Sequence, residues 1–145
     1  LLTPGGEPAV TGAAALRLGR DPRVDRAMTA EFTLPGGGTG RIHASMWSAT
    51  LLRIRAEVTG TKGRLVVNNF AVPQLPSRFT LTVQGRRGRE RFDATPTYVH
   101  QLRAFARAVA GDAAANLTPP ADSVATMRLI DDIYTTAGMP LRGED

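Results

Sequence analysis

Apolar and polar residues alternate through most of the first two thirds of the chain. In residues 24–34, Met28, Ala30, Phe32 and Leu34 fall on one side and Thr29, Glu31 and Thr33 on the other. That is the period of a half-buried strand. Residues 41–48 repeat it, with Ile42, Ala44 and Met46 opposed to Arg41, His43, Ser45 and Trp47. Pro35, Gly36, Gly37 and Gly38 lie between, so the two segments predict an antiparallel hairpin. Residues 52–58 predict a third strand, with Leu52, Ile54, Ala56 and Val58 inward and Arg53, Arg55 and Glu57 outward. A tight turn at residues 59–63 leads to a strand through Leu65, Val66 and Val67, and residues 9–18 form a further strand candidate. Pro73 and Pro76 break the pattern. Phe79, Leu81 and Val83 then open a second hairpin, predicted to turn at residues 85–88 and to return through residues 89–92.

The period changes at residue 97. Tyr98, Leu102, Phe105 and Val109 recur at spacings of four, three and four, with Arg103 and Arg107 opposite, which predicts an amphipathic helix over residues 97–111. Thr95 is its expected cap, Pro96 its first residue and Gly111 its stop. A second helix is expected to be capped by Thr118, opened by Pro119 and Pro120 and stopped by Gly138. Asp122 falls in its first turn, where the helix dipole favours a carboxylate. Val124, Met127 and Ile130, with Ile133 or Tyr134, make its stripe. These elements predict an α+β fold, an open, mostly antiparallel sheet of about six strands with two helices packed on one face.

A length of 145 residues predicts one domain. No apolar run is long enough to span a bilayer, no signal peptide is evident, and the expected location is the cytoplasm. The absence of Cys excludes disulfides and thiolate metal sites, and with only His43 and His100 no metal site is expected. The net charge of +5 raises nucleic-acid binding as a reading. However, every basic residue but Lys62 is arginine, and Ala and Gly abound. This is the composition of a GC-rich coding sequence. Apart from Arg86, Arg87, Arg89 and Arg91 the arginines are scattered, so neither nucleic acid nor membrane is expected as a partner.

No complete catalytic apparatus is evident. The loop Gly36-Gly37-Gly38-Thr39-Gly40 leads into a strand, so it fails the dinucleotide fingerprint. Asp131 and Asp132 sit inside a helix, one expected to face solvent and one to pair with an arginine. His100 reads as structural. Asn69 and Phe70 end a strand, and Tyr98 opens a helix. An amide and a phenol at such places suit the hydroxyls of a small polar substrate, and they equally suit capping and core packing. The outward row with Arg41, His43, Trp47 and Arg53 suits a subunit interface, or an ordinary wet sheet face.

Several segments together resemble a family. They are Val24-Asp25, Gly36, Val58-Thr59-Gly60-Thr61-Lys62-Gly63-Arg64-Leu65, Thr97-Tyr98 with Gln101-Leu102 and Phe105-Ala106, and residues 122–127 with Leu129-Ile130, Ile133-Tyr134 and Ala137-Gly138. Their order over residues 9–142 is similar to the C-terminal domain of the glucose–fructose oxidoreductase, inositol dehydrogenase and rhizopine catabolism family. The dihydrodiol dehydrogenase-like and xylose dehydrogenase-like members are nearest. Thr126 departs from the pattern, since many members carry Asn there. The resemblance implies a two-domain NAD(P)-dependent oxidoreductase whose missing N-terminal Rossmann domain binds NAD or NADP and supplies the catalytic lysine. Residues 1–8 would then be the end of a preceding helix and a linker, 9–140 the C-terminal substrate-binding and oligomerisation domain, and 141–145 a tail. The implied partners are the chain's own Rossmann domain, further copies of itself, and a sugar, polyol or diol substrate. Phe70 and Tyr98 become the leading substrate-side candidates, followed by Asn69, Trp47 and Gln101. The resemblance places no catalytic, cofactor-binding or metal residue on the chain, and the fragment alone is expected to be inactive. The rival reading is a stand-alone dimerising interaction module.

Overall fold

The computed structural model describes residues 6–49, 53–71, 77–90, 95–112, 115, 118–141 and 143. The chain divides into two compact units, one made of Leu1–Ala49 with Thr118–Asp145 and the other of Thr50–Leu117. The fold is α+β: the described residues form seven strands in two antiparallel sheets of three and four strands, with two helices.

In the first unit β1 (Ala9–Leu18), β2 (Asp21–Thr33) and β3 (Thr39–Ser45) pair in sequence order. Helix α2 (Pro120–Thr136) packs on β1. The alternation in β2 works as read: Met28 and Ala30 are buried and face Ile133 and Met139. Strand β1 alternates less clearly because it carries a bulge at Thr11. Val10 lies opposite Phe32 and Ala13 opposite Ala30, so the extra residue restores both to the core face, where they pack with Ala15. The helix seats through Leu129, Ile133, Tyr134 and Ala137. The expected stripe of Val124, Met127 and Ile130 is instead exposed. Seating through Leu129, Ile133 and Ala137 sets a helical i, i+4, i+8 row against the small alanines of β1.

Both ends of α2 are marked. Pro119 is the N-cap and Pro120 the first helical residue, one position later than Thr118 was expected to cap. At the other end Gly138 takes φ +65. Its N–H donates to Thr135 at 3.0 Å and that of Met139 to Tyr134 at 2.9 Å, the double closure that favours glycine. Arg17 Nη2 donates to the Gly138 carbonyl at 2.7 Å, placing a cation at the negative end of the helix dipole.

The second unit holds β4 (Arg55–Gly60), β5 (Gly63–Asn68), β6 (Arg78–Val83) and β7 (Arg86–Glu90), paired in that order, followed by α1 (Thr97–Val109). Strand β4 starts later than expected, and Leu52 and Phe92 lie outside the described residues. The β6–β7 turn is Gln84–Gly85, not residues 85–88. Both residues take positive φ, 48 and 76, with Val83 opposite Arg86. This is the two-residue hairpin that matches strand twist, and it carries Arg86 and Arg87 into β7. Pro96, not Thr95, is the N-cap of α1. Its expected stop holds: Gly111 has φ +97, and Asp112 N–H donates to Arg107 at 3.0 Å. Among the described elements α1 has no extended packing with a strand, and Tyr98, Leu102, Phe105 and Val109 are exposed.

Candidate functional site

Asn69 and Phe70 stand where β5 ends. Asn69 is turned out of the sheet by a φ of +55, which its short polar side chain tolerates. Its N–H donates to the Ile54 carbonyl at 2.7 Å. That bond ties the strand end to the chain entering β4 and releases Phe70, which is 56% exposed. Tyr98 is 76% exposed in the first turn of α1. Gln101, also exposed, follows three residues later on the same flank. The structure thus makes two pairs, Asn69 with Phe70 and Tyr98 with Gln101. A groove of about 350 Å³ on the apolar face of the sheet is lined by the 58–65 segment with Leu81 and Val83, and none of the four residues lines it.

The interface candidates also separate. Arg41 and His43 lie on the outward row of β3, and Trp47, 68% exposed, follows the strand. His43 Nδ1 bonds Thr29 Oγ1 at 2.9 Å, and Arg41 lies 3.8 Å from Glu31. Both links cross from β3 to β2, as opposite neighbours in the register. Arg53 belongs to the second unit, before β4.

Asp131 and Asp132 are both exposed, and neither has an ion pair among the described residues. His100 is exposed on α1. Among the described residues no three His, Asp or Glu side chains gather as metal ligands, and no helix is long and apolar enough to cross a membrane.

The glycine loop lacks the geometry of a dinucleotide cradle. It joins β2 to β3, closed by Gly37 N–H to Leu34 O at 3.1 Å and Leu34 N–H to Gly38 O at 2.7 Å. With a strand on each side, it offers no helix N-terminus to a pyrophosphate. These residues do not fit a nicotinamide dinucleotide.

The motif residues do find partners. Tyr134 Oη donates to Asp25 Oδ1 at 2.6 Å, so two separate motif segments meet between α2 and β2. Gly63 lies opposite Val83, and a Cβ on it would run into the Thr82 carbonyl. On the far side of this sheet Glu57 accepts from Arg64 Nε at 2.7 Å and Arg55 Nη2 at 2.8 Å. Hydrogen bonds first from Arg64, then from Arg55, lower its pKa to about 2. Asp21 is likewise lowered by its side-chain and backbone bonds from Arg23. Sequence reasoning missed the arginine assembly around Glu57. The signal was present in the alternation of Arg55, Glu57, Arg64, Arg78 and Arg87, but it needed the strand register to be joined.

Sequence likeness to a known sugar dehydrogenase bears out the resemblance to the glucose–fructose oxidoreductase, inositol dehydrogenase and rhizopine catabolism family and is consistent with a xylose dehydrogenase-like member. The relative in question is a D-xylose 1-dehydrogenase (NADP+) of Haloferax volcanii, 36% identical over 124 residues, covering 81% of this chain. The match takes in 36% of that protein, so the chain spans little more than a third of its relative's length. No protein-family model and no solved structure matches the chain.

Proposed function

We propose that residues 9–140 form the C-terminal, substrate-side and oligomer-forming part of an NADP-dependent sugar dehydrogenase, working in the cytoplasm beside a Rossmann domain that carries the cofactor. The carrying observation is the 36% identity to a D-xylose 1-dehydrogenase (NADP+) across 81% of the chain. A pentose or related polyol is the proposed substrate. Phe70 would offer an apolar face to the sugar ring, and Tyr98, Asn69 and Gln101 would bond its hydroxyls. Arg41, His43, Trp47 and Arg53 would serve subunit contacts. Because the glycine loop does not fit the dinucleotide, hydride transfer is assigned no residue of this chain.

The test is to read the source coding DNA upstream of Leu1 and assay the encoded protein on pentoses with NADP+. An in-frame strand–glycine loop–helix start and NADP+-linked pentose oxidation would support the proposal. A start codon immediately before Leu1, or submicromolar NADPH binding by this chain alone, would overturn it.

A further inference from the structure

The outward face of the four-stranded sheet carries paired arginines in two cross-strand rows, on either side of a middle row of Glu57, Val66, Thr80 and Arg89. Arg64, Thr82 and Arg87 lie in register across β5, β6 and β7. Arg55, Asn68 and Arg78 lie in register across β4, β5 and β6. All six, with Thr80 and Val66, line one groove of about 400 Å³. Glu57 is the carboxylate set among them, and it is already shared by Arg55 and Arg64. Arg78 and Arg87 have no ion pair among the described residues. Four guanidinium groups thus line the groove against one carboxylate, which Arg55 and Arg64 contact. The excess of guanidinium groups over carboxylates leaves the face with an unmatched positive potential that an anion would relieve.

The chemistry of the lining selects the anion. Guanidinium forks match phosphate oxygens with paired bonds, and the Thr82 hydroxyl and Asn68 amide supply further donors beside them. Within a row the arginines stand two strands apart, about 10 Å at the base, and the rows are about 14 Å apart along β5. Long side chains converge over such distances on two phosphoryl groups better than on one. The groove has the size of a small-molecule site. Among the described residues no aromatic side chain lines it, so these residues offer no stacking platform for nucleic-acid bases. We propose that this groove binds a small compound bearing two phosphoryl groups. This site is separate from Phe70 and Tyr98, and the inference stands independently of the dehydrogenase reading.

The test is calorimetric titration of the whole chain at physiological salt, with inorganic pyrophosphate and orthophosphate as probes. Pyrophosphate is expected to bind about tenfold or more tighter than orthophosphate, and Arg78→Gln with Arg87→Gln to weaken it about tenfold or more. A control with Arg103→Gln and Arg128→Gln, on the two helices, should leave binding unchanged. Arg87→Gln alone, on the edge strand, is a second variant should the double change disturb folding, and it too should weaken binding. Absence of pyrophosphate binding would overturn the proposal. So would equal weakening in the control, which would mark diffuse charge. Tighter binding of a single-stranded oligonucleotide with a steep salt slope would replace it with nucleic-acid binding.

Discussion

Gly63 has no room for a side chain, because the Thr82 carbonyl lies where its Cβ would be. Gly63→Ala is therefore expected to push β5 and β6 apart and to cost about 1–3 kcal/mol, read as a lower urea midpoint. Tyr134 is bound at the other end of the scale of polarity, by a 2.6 Å bond to a carboxylate in a part-buried place. Tyr134→Phe keeps the ring in the core and removes only the donor. It should cost about 1.5–3 kcal/mol, measured the same way. For Glu57 the sign follows from a pKa lowered from 4.5 to about 2. A depressed carboxylate stabilises the fold above its unfolded pKa and loses that contribution as the pH falls through the folded value. The stability difference between the parent and Glu57→Gln should thus be constant above about pH 4.5 and vanish toward pH 2, followed by denaturation across that range.

At the scale of elements, α2 shows how periodicity can find a helix and misjudge its seat. Its apolar residues spread over a wide arc, so Val124, Met127 and Ile130 read as well as Leu129 and Ile133 do. The alanines of β1 and β2 accept Ile133, 5% exposed, and leave Met127 56% exposed. Ile133→Ala should therefore cost about 2–5 kcal/mol, and Met127→Ala about 0.5 kcal/mol or less. Equal losses in thermal unfolding would contradict this seating. Strand β1 teaches the same lesson: a bulge at Thr11 lets residues three apart share a face, which no simple alternation reveals. Turns were legible where glycine was required, as at Gly111 and Gly138. The β6–β7 turn was not, because Gln84 takes a positive φ that its residue type does not announce.

Across the whole molecule, the candidate residues fall into groups that the linear order did not separate. Arg41, His43 and Trp47 belong to one unit, and Arg53 to the other. If the first three serve a subunit contact, the 68% exposed Trp47 supplies its apolar area. Trp47→Ala should then shift the mass in solution toward the monomer. An unchanged mass by light scattering would count against that surface.

Sequence by itself determined the α+β class, the order of strands and helices, the glycine stops and the family resemblance. Each of these depends on local period, on backbone freedom at single residues, or on motif order. Tertiary structure alone decided that the strands divide into sheets of three and four, that α2 seats through Ile133, that Tyr134 meets Asp25 across 109 positions of sequence, and that four arginines from four strands line one groove. Those outcomes depend on register and on which surfaces have room for one another, and both are set by residues far apart in the chain.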